Sequence, residues 1–254
     1  MSRSWLGLSA LALLLAFAGC KQEVGKVPQS SLKEIKKEII ESGTGLEAKT
    51  GDFVFMEYTG RLMDGTEFDS NVDADGPPLS FALGDGSMIK GWDEGIVGMK
   101  VGEKAKLLIP SDKGYGPAGK DPKIPANADL EFDVKLLGVL KKGEEAIYDA
   151  KDDKVGTGAE AVVGKTAEVH YKVTYLNGAL VDDSRKRGKT LTFKIGGNEP
   201  PRVVSGIDDG VRGMKVGGSR TLTLPPGLIF GAGGGRSLQG NQIVIVTLDL
   251  LSVK

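Results

Sequence analysis

Apolar and polar residues alternate along LEFDVKLLGV (residues 130–139), and the same alternation returns in VIVTLDLLSV (residues 244–253). Shorter runs pair in the same way: LSFALG (79–84) with LTFKIG (191–196), and KAKLLIP (104–110) with SRTLTLP (219–225). All of them alternate or stay apolar over about four to eight residues, the habit of half-buried strands. A longer stretch, ESGTGLEAKTGDFVFMEYTGRLMDGTEFD (41–69), falls into step with KVGTGAEAVVGKTAEVHYKVTYLNGALVD (154–182). Each copy reads as strand, turn and strand. Asp64-Gly65 and Asn177-Gly178 predict type I′ hairpin turns, in which both central residues need positive φ.

One segment between the strands has a different period. WDEGIVGMK is bracketed by Gly91 and Gly102 and places Trp92, Ile96 and Met99 at helical spacing, which predicts one short helix. It runs into GMKVG (98–102), and the same five letters recur at 213–217. Ile207 stands in the second copy where Trp92 stands in the first. SSLKEIKKEIIESG (30–43) conflicts with its surroundings. A Ser31…Glu34 capping box, an apolar face of Leu32, Ile35, Ile39 and Ile40, and Gly43 as a stop spell a helix. The repeat instead predicts an edge strand for its second half.

The pattern therefore predicts an α+β fold of two tandem units, each an antiparallel sheet with one short helix laid against it. The units take residues 32–142 and 143–254, with the boundary in KKGEE (141–145) and EAIYDAKDD (145–153) opening the second. Composition agrees. At 254 residues, 40% hydrophobic and 26% charged, the chain has room for two domains of roughly 100 residues each. Its 38 glycines among short apolar runs argue for many tight turns rather than a helical bundle. With 33 Lys and Arg against 34 Asp and Glu, no net charge draws the protein to nucleic acid.

The N-terminus stands apart. An apolar run from Leu6 to Phe17 is too short to span a bilayer and has the length of a signal-peptide core. FAGC follows it, and Cys20 is the single cysteine, so no disulfide forms within the chain. One reading is a secretory signal with an incidental cysteine. The other is a bacterial lipoprotein signal over residues 1–19, cleaved before a lipid-modified Cys20; LLLAFAGC resembles such a lipobox. The second reading anchors the mature protein to a membrane from outside the cytoplasm, facing the periplasm or exterior, without a spanning helix. Lys21 at the following position lacks the Asp that retains some lipoproteins at the inner membrane, which favours the outer one. Residues 20–31, polar and containing Pro28, read as a flexible tether.

Several look-alike motifs carry no chemistry. GYGPAG (114–119) fits a dinucleotide fingerprint, but Pro117, Pro122 and Pro125 prevent the helix that it needs. NVDADG (71–76) begins like a calcium loop, yet Ala82 stands where a bidentate Glu is required. RKRGK (185–189) could contact anionic lipid or a partner, but such a run is usually a solvated loop. His170 is the only histidine and has no second ligand or cysteine near it in sequence, which leaves no zinc site and no triad built on another histidine.

The first unit's distinctive content is aromatic: Phe53, Phe55, Tyr58, Phe68, Phe81, Trp92, Tyr115 and Phe132. Core packing accounts for some of these residues. Their setting is more specific: YTGRLMDGTEFDS, PLSFALGDGSMIKGWDEGIVGMKVGEKAKLLIP, GYGPAG and IPANADLEFDVKLL occur in an order and spacing that resemble the FKBP family of peptidyl-prolyl cis-trans isomerases, over roughly residues 40 to 140. The resemblance implies a half-wrapped sheet around a short helix with a pocket between them. It implies that Trp92 is the pocket floor and that Tyr58, Phe68, Phe81 and Phe132 are its walls. Leu79 stands where many members carry another aromatic. Met88 and Ile89 would line the entrance, with the Ile89 N–H meeting a substrate carbonyl. Tyr115 would offer its hydroxyl, Ile124 would cover the proline, and Asp69 would be the one carboxylate at the edge. The loop from Ser70 to Ser87 has no Lys or Arg to partner Asp69, which leaves Tyr58 as its main hydrogen-bond donor.

Implied with the family are proline-containing unfolded or exported polypeptides as substrates, macrolides as ligands, and no cofactor or metal. In the second unit Phe68 corresponds to Val181, Trp92 to Ile207, Tyr115 to Phe230, Ile124 to Leu238 and Phe132 to Val246, and GNEPPRVVSG (197–206) adds residues at the entrance. Tyr171, Asp182 and Phe193 remain. The expectation is a second unit that keeps the scaffold, loses the pocket and is not catalytic. The rival reading is a binding lipoprotein in which both units grip unfolded chains or an envelope partner.

Overall fold

The structure is a computed structural model that describes residues 30–72, 75–144, 149–198, 200, 202–229, 234 and 240–254. The leader, Cys20, the tether up to residue 29, and Phe230 and Leu238 lie outside the described residues.

The first unit contains β1 (Lys36–Glu41), β2 (Phe53–Leu62), β3 (Glu67–Ser70), β4 (Leu79–Ala82), α1 (Lys90–Gly95), β5 (Lys104–Ile109) and β6 (Leu130–Leu140). They form one antiparallel sheet in the order β1-β5-β6-β2-β3, with β4 also pairing β2. β2 is long enough to take both short strands on one side, with Met56 opposite Leu79 and Thr59 opposite Ser70. β6 alternates buried and half-buried residues along almost its whole length, as LEFDVKLLGV predicts for a strand with one face on the core. Val54, Met56, Leu107, Ile109, Leu130, Val134 and Leu136 fill that core beneath α1.

The second unit repeats the plan with β7 (Asp149–Lys154), β8 (Thr166–Tyr175), β9 (Leu180–Asp183), β10 (Leu191–Lys194), α2 (Ser205–Val211), β11 (Ser219–Leu224) and β12 (Val244–Val253). Its order is β10-β8-β12-β11-β7, with β9 pairing β8. Both helices are fastened alike. Asp93 accepts the Gly84 N–H at 2.9 Å, and Asp208 accepts the Gly196 N–H at 2.8 Å.

The edge strand that the repeat predicts is present at Lys36–Glu41, and three other local expectations are corrected. The segment from Ser31 to Glu41 is not helical: β1 runs antiparallel to β5, because Asp129 takes the capping donors elsewhere. Its carboxylate accepts the Ser31 N–H at 2.7 Å, the Ser31 hydroxyl at 3.0 Å and the Leu32 N–H at 3.0 Å. It also accepts the Ser30 hydroxyl and the Ser111 N–H. The tether expected to run to residue 31 is therefore pinned at Ser30 and Ser31.

The hairpin turns are not type I′. Gly65 has φ 89° and Gly178 has φ 87°, but neither Asp64 nor Asn177 has positive φ. The Gly65 N–H donates to the Leu62 carbonyl and the Leu62 N–H to the Thr66 carbonyl, which makes a three-residue loop closed by a left-handed glycine. The helix is also shorter than its sequence period. α1 ends at Gly95, and Met99 reaches the core from the following turn.

Loop residues of the second unit meet the first unit beside β2, β4 and β6. Phe55 points away from the first unit's core yet is fully buried. A side chain on Gly138 would meet Leu176 Cδ1 at 2.7 Å and Phe55 Cδ2 at 3.4 Å, so the glycine lets the second unit's hairpin close over Phe55. Asn177 Nδ2 donates to the Gly76 carbonyl at 3.0 Å. Gln242 Nε2 donates to Ser80 Oγ at 3.0 Å and to the Pro78 carbonyl at 3.3 Å.

Candidate functional site

Trp92 lies in the first turn of α1, with its ring on the floor of an open cavity between helix and sheet. The residue before the helix, Ile89, is extended at φ −63° and ψ 144°, and its carbonyl accepts the Trp92 N–H at 2.9 Å. That geometry turns the chain from the entrance into the helix. Tyr58 meets Trp92 edge-on at 5.0 Å, and Phe132 does so at 5.3 Å. Phe68 stands edge-on to Phe132 at 5.5 Å. Such contacts add about 0.5–1.5 kcal/mol each beyond area burial, which holds the rings in fixed orientations. Gly60 makes the arrangement possible. A Cβ there would lie 2.6 Å from the Phe68 ring and 2.8 Å from the Phe132 ring.

The cavity holds 660 Å³ and is lined by Tyr58, Phe68, Asp69, Leu79, Met88, Ile89, Trp92, Tyr115 and Phe132, nine of the eleven residues expected around it. Two stand elsewhere. Phe81 is buried behind the floor, 5.7 Å from the Trp92 ring, and supports the indole rather than facing the opening. Ile124 lies in an adjoining cavity of 260 Å³ that shares Phe68, Asp69 and Tyr115 with the main one. It packs beside the site because the loop carrying it folds back through hydrogen bonds between Lys120 and Ile124.

Sequence reasoning missed Gly86, Ser87, Lys90, Asp112, Gly114 and Lys120 on the rim. Lys120 carried a usable signal, five residues beyond Tyr115 in a Gly-Pro loop. Its ammonium sits over the Tyr115 ring at 5.3 Å.

The polar groups are few. Tyr58 donates to Asp69 Oδ2 at 2.8 Å. Burial, with the hydrogen bond and charge of Asp69, holds the phenol above the usual tyrosine range. Among the described residues, no acceptor meets the Ile89 N–H, and the Tyr115 hydroxyl has no hydrogen-bond partner. Two donors at the edge of an aromatic cavity can orient the carbonyls of an extended peptide while an apolar ring fills the floor. Among the described residues, neither a histidine nor a cysteine lines this opening. His170 Nδ1 lies 3.0 Å from Ser184 Oγ in the second unit, but that hydroxyl is fully buried and donates to the Tyr171 carbonyl.

The second unit corrects the expectation of a lost pocket. A cavity of 270 Å³ occupies the matching place, with Ile207 at the floor and Val181 and Val246 as walls. Val173, the counterpart of Gly60, partly fills the space left by the missing rings. Tyr171 donates to Asp182 at 2.9 Å, and Arg187 pairs with the same carboxylate at 3.0 Å. Phe193 is buried outside the cavity lining.

A half-wrapped sheet with a cleft against one short helix, repeated in tandem and aromatic in the first copy, defines the class of fold. The family model described as FKBP-type peptidyl-prolyl cis-trans isomerase matches residues 45–137 and again 158–251. The chain belongs to this family, with two copies of its domain.

The relatives include the peptidyl-prolyl cis-trans isomerase FKBP9 of Rattus norvegicus, 32% identical over 99% of this chain and 44% of its own length. FKBP2 of Mus musculus is 50% identical over 39% of this chain and 70% of its own length. A crystal structure of the three FKBP domains of wheat FKBP73 aligns at 24% identity and a TM-score of 0.39, covering 87% of this chain and 94% of that one. The chain spans less than half the length of the FKBP9 relative.

Proposed function

We propose that the chain is a peptidyl-prolyl cis-trans isomerase whose turnover belongs to the first unit, and that it assists the folding of exported polypeptides. The observation that carries this reading is the aromatic cleft itself. Trp92 floors it, and the Ile89 N–H and Tyr115 hydroxyl stand unpartnered among the described residues at its edge.

Rotation about a peptide bond meets a barrier of about 18–20 kcal/mol because resonance must be broken, and an X-Pro bond takes tens of seconds to turn unaided. Rotation needs no proton transfer and no covalent intermediate. The proline ring rests on Trp92 between Tyr58 and Phe132, and Ile89 and Tyr115 hold the flanking carbonyls. The twisted amide has a smaller dipole than the planar one, so it loses less on leaving water for this apolar cleft. Asp69, held by Tyr58, keeps one wall polar and positions the tyrosine ring.

The second unit has no ring at the floor and serves as a non-catalytic holding domain. A lipid on Cys20 anchors the protein at the cell envelope, with the outer membrane favoured; the sequence LLLAFAGC followed by Lys21 supports this placement. A proline-limited peptide assay on the full chain tests the catalytic reading. Turnover should be measurable and should be suppressed by a macrolide that occupies the first cleft. No acceleration over the uncatalysed rate would refute it.

A further inference from the structure

The second unit's cavity is a different site from the first. Apart from the Tyr171 ring in its wall, it presents the branched side chains of Val173, Val181, Val246 and Ile207. At 270 Å³ it holds what about nine water molecules would fill at roughly 30 Å³ each, enough for one or two branched aliphatic side chains. A proline ring finds no aromatic floor here to stack on. The backbone donor at the entrance is nevertheless retained. Val204 precedes α2 in the extended conformation, at φ −65° and ψ 147°, and no acceptor meets its N–H among the described residues.

Charge distinguishes the two openings. Acidic Asp69 and Asp112 share the first rim with Lys90 and Lys120. At the second, Arg202 lines the cavity, bonded through Nε to the Asn198 carbonyl, with no ion pair among the described residues. Arg187 lies over the Tyr171 ring at 5.6 Å, which brings the RKRGK turn to the cavity wall. Asp182 pairs with Arg187 in that turn, whereas Lys186 and Lys189 have no carboxylate partner among the described residues.

We infer that this cavity binds an acidic stretch of polypeptide through a branched aliphatic side chain, without requiring proline. The inference rests on the reading of the second unit as a non-catalytic holding domain. An aliphatic side chain fills the cavity, the Val204 N–H takes a backbone carbonyl, and flanking carboxylates meet Arg202 and the RKRGK turn.

The test uses the full chain with methyl-labelled Ile, Leu and Val and with the first cleft saturated by a macrolide. The probe is an acetylated, proline-free peptide, Glu-Glu-Leu-Val-Glu-Glu, compared with Lys-Lys-Leu-Val-Lys-Lys. The acidic peptide should shift the methyl signals of Ile207, Val181 and Val246 and bind at least tenfold more tightly than the basic one. Arg202→Glu, at an exposed side chain, should weaken acidic-peptide binding at least tenfold, and Ile207→Trp should abolish it by filling the cavity. Equal response to both peptides would overturn the inference, as would unchanged binding by the Arg202→Glu variant. So would shifts that appear on raising protein concentration without peptide, which would assign the cavity to a second copy of the chain. Isomerase turnover of a Trp92→Ala variant, measured in parallel, fails or survives independently of these shifts and so judges the catalytic reading separately.

Discussion

Tyr58 donates its hydroxyl hydrogen to Asp69 across 2.8 Å with no basic group paired to that carboxylate among the described residues, whereas the matching pair Tyr171 and Asp182 is joined by Arg187. The same two side chains are thus charge-neutralised in the second unit and left to a single phenol in the first. Tyr58→Phe removes the hydrogen bond that fixes both residues. A bond to a charged group is worth about 1.5–3 kcal/mol, so kcat/KM should fall by roughly 10-fold to 100-fold if the pair positions the cleft wall. The raised phenol has a pH signature. Its stabilising contribution is complete below the unfolded tyrosine value of about 10 and is lost as pH rises from there through the folded value. Ultraviolet titration should find one tyrosine still un-ionised when the exposed ones have titrated.

Phe55 couples the two units. It is fully buried outside both unit cores, against the hairpin residue Leu176, while Gln242 fastens to β4 next to Leu79 of the cleft. Phe55→Ala should cost about 3–5 kcal/mol of the contact between the units. Calorimetry should then resolve two unfolding transitions in place of one cooperative transition. A single transition shifted to lower temperature would place Phe55 in the first unit's own core instead.

Asp129 pins the start of the first unit. Burial pushes its pKa up, but hydrogen bonds from Ser30, Leu32, Ser31 and Ser111 outweigh this and leave it below the usual carboxylate range. A depressed carboxylate stabilises the fold above its unfolded value of about 3.9, and that contribution is lost as pH falls through the lower folded value. Asp129→Asn should cost about 1–3 kcal/mol at neutral pH and should flatten the loss of stability on acidification. Hydrogen exchange at Leu32 and Ser111 would report the release directly.

A lipid on Cys20 makes the simplest cellular prediction. Cys20→Ser should move the protein from the membrane fraction to the soluble fraction after cell breakage. Retention in the membrane fraction would point to an uncleaved N-terminal segment.

The strand pattern is readable in sequence because LEFDVKLLGV has one face on the core, so its period survives into β6. The aromatic cleft is readable through the family resemblance alone: Tyr58, Phe68, Trp92 and Phe132 lie far apart in sequence but stand at the offsets of the family's motifs. The repeat does not show them, because only Tyr58 keeps an aromatic counterpart in the second unit. What escapes the sequence depends on partners distant along the chain. SSLKEIKKEIIESG has every local helix signal, and those signals lose to Asp129 and to pairing with β5. The hairpin turn hides in one dihedral, since Asp64-Gly65 serves a three-residue loop as readily as a two-residue one. Ile124 and Phe81 stand beside and behind the cleft because loop folding and the packing of β4 decide their aim. The second cavity survives because three valines leave a smaller space rather than none.

The most direct measurement compares kcat/KM for a proline-limited peptide between the full chain and its Trp92→Ile and Ile207→Ala variants. Trp92→Ile gives the first unit the residue that the second unit carries. It should lower kcat/KM by at least 100-fold while far-ultraviolet circular dichroism stays unchanged, and Ile207→Ala should leave the rate within about twofold. A folded Trp92→Ile variant at full rate, or a comparable loss from Ile207→Ala, would contradict the assignment of catalysis to the first cleft.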